Sequence, residues 1–77
     1  MVSKKTAIQI KEQSLKAIGQ LDRMLYEIRE QCSEDDFYAV RRGVGSAIAT
    51  IIDEILEPVY QAYPEIDDLK NESFRPN

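Results

Sequence analysis

The segment Cys32-Ser33-Glu34-Asp35-Asp36-Phe37 constrains this chain more than any other, because it sets one turn between two long helical runs. Ser33 is a good helix N-cap: its side-chain oxygen accepts a backbone N–H two or three residues further on. Asp36 stands where the partner of a capping box belongs, although Glu or Gln is the usual residue there. Glu34 and Asp35 add negative charge to the first turn, which the helix dipole favours. Cys32 and Phe37 occupy the two positions of a hydrophobic staple. Helix one therefore ends near Gln31 and helix two starts near Glu34, and so short a connection makes them antiparallel neighbours.

The runs on either side are built to be helices. From Thr6 to Cys32 there is no proline and one glycine, Gly19. Ile18, Leu21, Leu25, Ile28 and Cys32 step by three and four residues along one seam, flanked by Ile8, Ile10, Leu15 and Met24. This predicts helix one over about 6–32, roughly 40 Å long at 1.5 Å per residue. Helix two is predicted over about 34–62, with Phe37, Val40, Val44, Ile48, Ile51, Ile55 and Val59 as its main stripe. Pro58 cannot donate to the carbonyl of Glu54, so a kink or local break is expected near Ile55. Tyr63 precedes Pro64, which disfavours helical geometry and ends the helix. Residues 63–77 then form a short irregular tail that folds back through Ile66 and Leu69.

Charge favours the same hairpin. Residues 1–29 carry six basic and three acidic side chains, whereas residues 43–69 carry six acidic and no basic ones. Antiparallel pairing brings Asp53, Glu54 and Glu57 level with the lysines of helix one, and Arg41 and Arg42 level with Asp22, Glu27 and Glu30. Each exposed pair contributes only about 0–1 kcal/mol, but the pattern disfavours other arrangements.

The run Arg41-Arg42-Gly43-Val44-Gly45-Ser46-Ala47 has the glycines and cations of a phosphate loop without its setting. Such loops point free backbone N–H groups at the anion, usually after a strand and at a helix start. Here the helix has already run two turns from Ser33, so those N–H groups are bonded to carbonyls four residues back. Packing is the better reading. Tyr38, Gly45, Ala49, Ile52, Leu56 and Tyr60 fall on a flank beside the main stripe, and Gly45 with Ala49 lets another helix come close. A helix with two apolar faces needs two neighbours, and the hairpin supplies one; a second copy is the simplest other, giving an antiparallel four-helix bundle. Gly43 projects onto the polar side and finds no explanation in this pattern. Arg41 points near the apolar stripe, where it snorkels toward Glu27 or Glu30, or meets a partner beside Arg42 and Tyr38.

Other chemistry finds little support. At 77 residues and a net charge of −4, the chain is one small domain over residues 1–77, and 43% hydrophobic content is ordinary for a folded protein. Its single cysteine, Cys32, excludes an internal disulfide framework and suits a reducing compartment; without histidine there is no ready base to make it a nucleophile. No apolar run is long enough to span a membrane, and the first residues lack a secretory core, so a cytoplasmic protein is expected. The pairs Glu27/Glu30 and Glu54/Glu57, with Asp53, resemble the Mg²⁺-binding carboxylates of all-α nucleotide pyrophosphohydrolases. Within one hairpin, however, they lie roughly 22 Å apart and could meet only across a dimer. A small dimerising hairpin also resembles Rop, an RNA-binding four-helix bundle, in architecture. Lys4, Lys5, Lys11, Lys16, Arg23 and Arg29 are nevertheless spread around helix one without interleaved aromatics, so nucleic acid is not the expected partner.

The stretch from Phe37 to Leu69, with Arg-Arg-x-Val-Gly followed by Glu-Ile-Leu-x-Pro-x-Tyr and a closing Pro-Glu-hydrophobic segment, resembles a set of short bacterial proteins of unknown function. The resemblance covers about half the chain and implies no activity. The sequence thus predicts an all-α hairpin that dimerises into a four-helix bundle and acts as a non-catalytic interaction or regulatory module. No cofactor or metal is expected, and the expected partner is a second copy of itself. A metal-dependent nucleotide hydrolase and an RNA-binding bundle are the alternatives.

Overall fold

A computed structural model describes residues 1–67 and is all-α. Helix α1 spans Lys4–Ile28 and α2 spans Glu34–Thr50; a π-helical segment, Ile51–Leu56, leads into α3, Glu57–Ala62, and a 3₁₀ turn covers Pro64–Ile66. The backbone stays right-handed helical at Thr50, Ile51, Leu56 and Glu57, so α2, the π segment and α3 make one continuous rod lying against α1. The chain is therefore a two-helix hairpin. Leu69, expected to help fold the tail back, lies outside the described residues.

The turn follows from its caps. Ser33 is extended, at φ −68° and ψ 165°, and its Oγ accepts the Asp36 N–H at 3.1 Å. Glu34, Asp35 and Asp36 fill the first turn of α2, where exposed N–H groups favour negative charge. Helix one differs from expectation at both ends. It begins at Lys4 because Ser3 caps it, accepting the Thr6 N–H at 3.2 Å. It ends at Ile28, some four residues early, because the turn satisfies its last carbonyls. The Gln31 backbone N–H donates to Ile28 at 2.8 Å, the Gln31 side-chain amide donates to Glu27 at 3.0 Å, and the Cys32 thiol lies 3.5 Å from the Ile28 carbonyl. Arg29 sets its guanidinium 5.9 Å from the centre of the Phe37 ring, closing the turn with a cation–π contact.

Pro58 explains the middle of the rod. It has no N–H, and its ring would clash with the carbonyl four residues back. The helix answers by widening: the Glu57 N–H donates to the Ile52 carbonyl, five residues back. A single π turn adds one residue to the rod and rotates everything after it by about 100° relative to an unbroken α-helix. The inward positions shift accordingly. Leu56 is 3% exposed and belongs to the hairpin core, whereas Ile55, placed on the main stripe by periodicity, is 41% exposed. Val59 is buried, and Tyr60 is half-buried against the cluster of Ala7, Val59 and Ile66. On α1 the buried members are Ala7 and Ser14, spaced one heptad apart, while Leu15 faces out.

The start of α1 is tied to the 3₁₀ turn. Lys11 Nζ donates to the Ile66 carbonyl at 2.8 Å, Tyr63 Oη donates to the Val2 carbonyl at 2.8 Å, and Lys4 pairs with Glu65 at 3.2 Å. The backbone N–H of Glu65, then the Lys4 ammonium, hold the Glu65 carboxyl below its ordinary value. The buried cluster of Ala7, Val59 and Ile66 thus sits where the start of α1 meets α3 and the 3₁₀ turn, far from the Ser33 turn. The radius of gyration is 15.2 Å, against about 11 Å for a compact globule of this length. Among the described residues, no element covers the outer side of either helix. No helix among the described residues is long and apolar enough to cross a membrane.

Candidate functional site

The turn half of the hairpin carries the open surface. Two shallow grooves flank α2 there. One, of about 410 Å³, runs between the helices and is lined by Asp22, Leu25, Tyr38, Arg41, Arg42, Val44, Gly45 and Ile48. The other, of about 460 Å³, lies on the outer side of α2 and is lined by Asp35, Tyr38, Ala39, Arg42, Gly43 and Ser46. Tyr38 and Arg42 form the ridge shared by both. Gly45 sits in the first groove and Gly43 in the second, so each missing side chain deepens a depression.

Neither glycine is required by the chain itself. A Cβ built on Gly43 or Gly45 meets nothing within 4 Å among the described residues. In a helix interior each is unfavourable relative to alanine by about 0.5–1 kcal/mol. The sequence pattern singled out Gly45; the groove that Gly43 helps to form was not legible, because Asp35, Ala39, Arg42 and Ser46 around it make no apolar stripe.

The flank expected to meet a second helix is only partly as expected. Tyr38 (59% exposed), Gly45, Ala49 and Ile52 stand on the surface. Leu56 and Tyr60 do not extend it: the π segment turns Leu56 into the core and lays Tyr60 against the terminal cluster. By the same rotation of about 100°, Glu57 takes the heading that Leu56 would hold in an unbroken helix. The flank therefore runs from Tyr38 and Arg42 through Gly45 and Ala49 to the exposed acids Asp53 and Glu57.

Arg41 and Arg42 are exposed and form no ion pair with Glu27 or Glu30 among the described residues. Among the described residues, Asp53, Glu54 and Glu57 likewise form no ion pair with the lysines of α1, and a pairing of opposite charge lies further along, between Lys4 and Glu65. No group of three or more acidic or cysteine side chains is placed to hold a metal ion among the described residues, so Glu27/Glu30 and Glu54/Glu57 do not converge within one chain. Cys32 is half-buried in the turn beside Phe37, with its thiol toward the Ile28 carbonyl.

No protein-family model matches the chain, and no curated protein and no solved structure matches it either. Architecture alone classifies it: an all-α helical hairpin with a mixed apolar and charged flank open to its surroundings.

Proposed function

We propose that this chain is a non-catalytic, self-associating helical module, in which a second copy covers the outer flank of helix two and completes a four-helix bundle. One observation carries the reading: Tyr38 is exposed beside Gly45, Ile52 and Ile55 are exposed further along the same helix, and a Cβ on Gly45 meets no atom within 4 Å among the described residues. Exposed apolar groups beside small residues favour close approach of another helix, which recovers the burial that one layer lacks. The module acts by presenting or withholding that face, as a dimerisation or adaptor element.

Gly45→Leu tests it by sign. In a monomer the added side chain projects into open space and improves helix propensity, so stability is unchanged or higher by up to about 1 kcal/mol. Against a neighbouring helix the same side chain is overpacked and costs roughly 1–3 kcal/mol per copy. Sedimentation equilibrium of wild type and Gly45→Leu at matched concentrations reads the difference. A monomeric wild type, or a variant that associates as tightly as wild type, rules the module out.

A further inference from the structure

We infer that the second copy docks antiparallel, helix two against helix two, about a two-fold axis at Ala49, so that Arg41 and Arg42 of each chain meet Asp53 and Glu57 of the other. This rests on the self-association proposed above and adds the partner's orientation and register.

Helix two is charged unevenly along its length. Beyond its acidic first turn of Glu34, Asp35 and Asp36, which lies at the helix cap, five charged side chains remain: Arg41 and Arg42 before Ala49, and Asp53, Glu54 and Glu57 after it, with no cation among the last three. These five side chains are exposed and form no ion pair with one another or with α1 among the described residues. Of these, Arg42, Asp53 and Glu57 stand on the flank and Arg41 at its inner edge, and together they complement a surface carrying the same pattern reversed. A second copy running antiparallel is such a surface. A parallel copy is not, because it sets arginines against arginines and carboxylates against carboxylates.

Register follows from the spacing. Arg41 lies eight residues before Ala49 and Glu57 eight residues after it. With the axis at Ala49, Arg41 faces Glu57, Arg42 faces the turn that carries Asp53 and Glu57, and Gly45 faces Asp53. Moving the axis to Gly45 sets Arg41 against Ala49 and loses every such pairing. The small residues Gly45 and Ala49 then lie at the crossing, where two backbones approach most closely.

The π segment is what makes the pattern work. Without its extra residue, Leu56 would stand on this flank and Glu57 would turn away from it. With the extra residue, Leu56 is buried and Glu57 replaces it opposite the arginines. The groove beside Gly45 is lined by Tyr38, Arg41 and Arg42, the cations that the partner's acidic turn would meet.

The test uses two charge-reversed chains, Arg41→Glu/Arg42→Glu and Asp53→Lys/Glu57→Lys, each made in the full protein and checked for helicity by circular dichroism. Alone, each is expected to associate at least tenfold more weakly than wild type. Mixed in equal amounts, they are expected to recover association to within a few-fold of wild type, as a heterodimer resolved by native mass spectrometry. A wild type that stays monomeric at every concentration overturns self-association and this arrangement with it. A dimeric wild type whose reversed chains associate unchanged, or do not recover on mixing, overturns only the arrangement. Should either variant lose its helicity, the salt dependence of wild-type association decides. Weakening as ionic strength rises supports the cross-pairing, and strengthening or indifference overturns it.

Discussion

Replacing Leu56 and Ile55 one at a time by alanine separates the π-helical register from an unbroken helix, because the two arrangements exchange which residue is inside. Leu56 is 3% exposed, so Leu56→Ala removes about three buried carbons, worth roughly 2.4 kcal/mol at about 0.8 per methylene. A cavity that the neighbours fill incompletely raises the total within the usual 2–5 kcal/mol, approximately. Ile55 is 41% exposed, so the same deletion there forfeits little more than half as much transfer energy. Alanine's better helix propensity returns a few tenths, leaving a net cost of about 1 kcal/mol. A gap of about 2 kcal/mol corresponds to roughly 8–16 °C in melting temperature for a domain of this size. Thermal melts followed by circular dichroism, at one concentration for all three proteins, give the comparison. Small domains have only about 3–5 kcal/mol to lose, so Leu56→Val supplies a milder point on the same scale. An Ile55→Ala variant that melts as low as Leu56→Ala would refute the register, and with it the placing of Glu57 on the outer flank.

Two further outcomes follow from the caps and the terminal clasp. Ser33→Ala removes the acceptor of the Asp36 N–H and should lower stability by about 0.5–2 kcal/mol in urea titrations; an unchanged midpoint argues against a cap at that residue. Glu65 has its folded-state pKa held below the ordinary 4.5, so its contribution is present above that value and is lost as pH falls through the lower, folded-state one. The melting temperature of wild type minus that of Glu65→Gln should therefore shrink as pH is taken from about 7 to about 2.5, and a difference that grows on acidification contradicts the assignment.

What was legible in the sequence was local. Ser33 reads as a cap because its partner is the N–H of Asp36, three residues on, and no distant contact alters that geometry. The long apolar periodicities give two helices for the same reason. Ser3 makes a similar bond to the Thr6 N–H, but Lys4, Lys5 and Thr6 supply neither first-turn acid nor capping-box partner, so the start of α1 was read late. Ser14 was hidden by its hydroxyl: it is buried because Ala7 and Ser14 keep the heptad seam narrow, and apolar counting passes over both. Pro58 announced that the ladder of hydrogen bonds must fail near Glu54. It could not announce how, since a kink and an inserted residue relieve the same clash. That choice decides which of Ile55 and Leu56 faces inward, and hence whether the flank ends in apolar or acidic residues. The residues read as one flank are exposed at Tyr38, Gly45, Ala49 and Ile52, whereas Leu56 is buried and Tyr60 half-buried.

A cysteine at the crossing point reads the central claim, that the outer flank of helix two is where a second copy sits. In a Cys32→Ser background, Ala49→Cys places one thiol per chain beside the two-fold axis. A disulfide forms without strain only when the two Cα atoms come within about 4.4–6.8 Å. Mild oxidation at low protein concentration should convert this variant largely to a covalent dimer that keeps its helical circular dichroism. Ala47→Cys, exposed but directed away from the flank, should stay monomeric under the same conditions. Cross-linking at Ala47 and not at Ala49, or at neither site, contradicts the account.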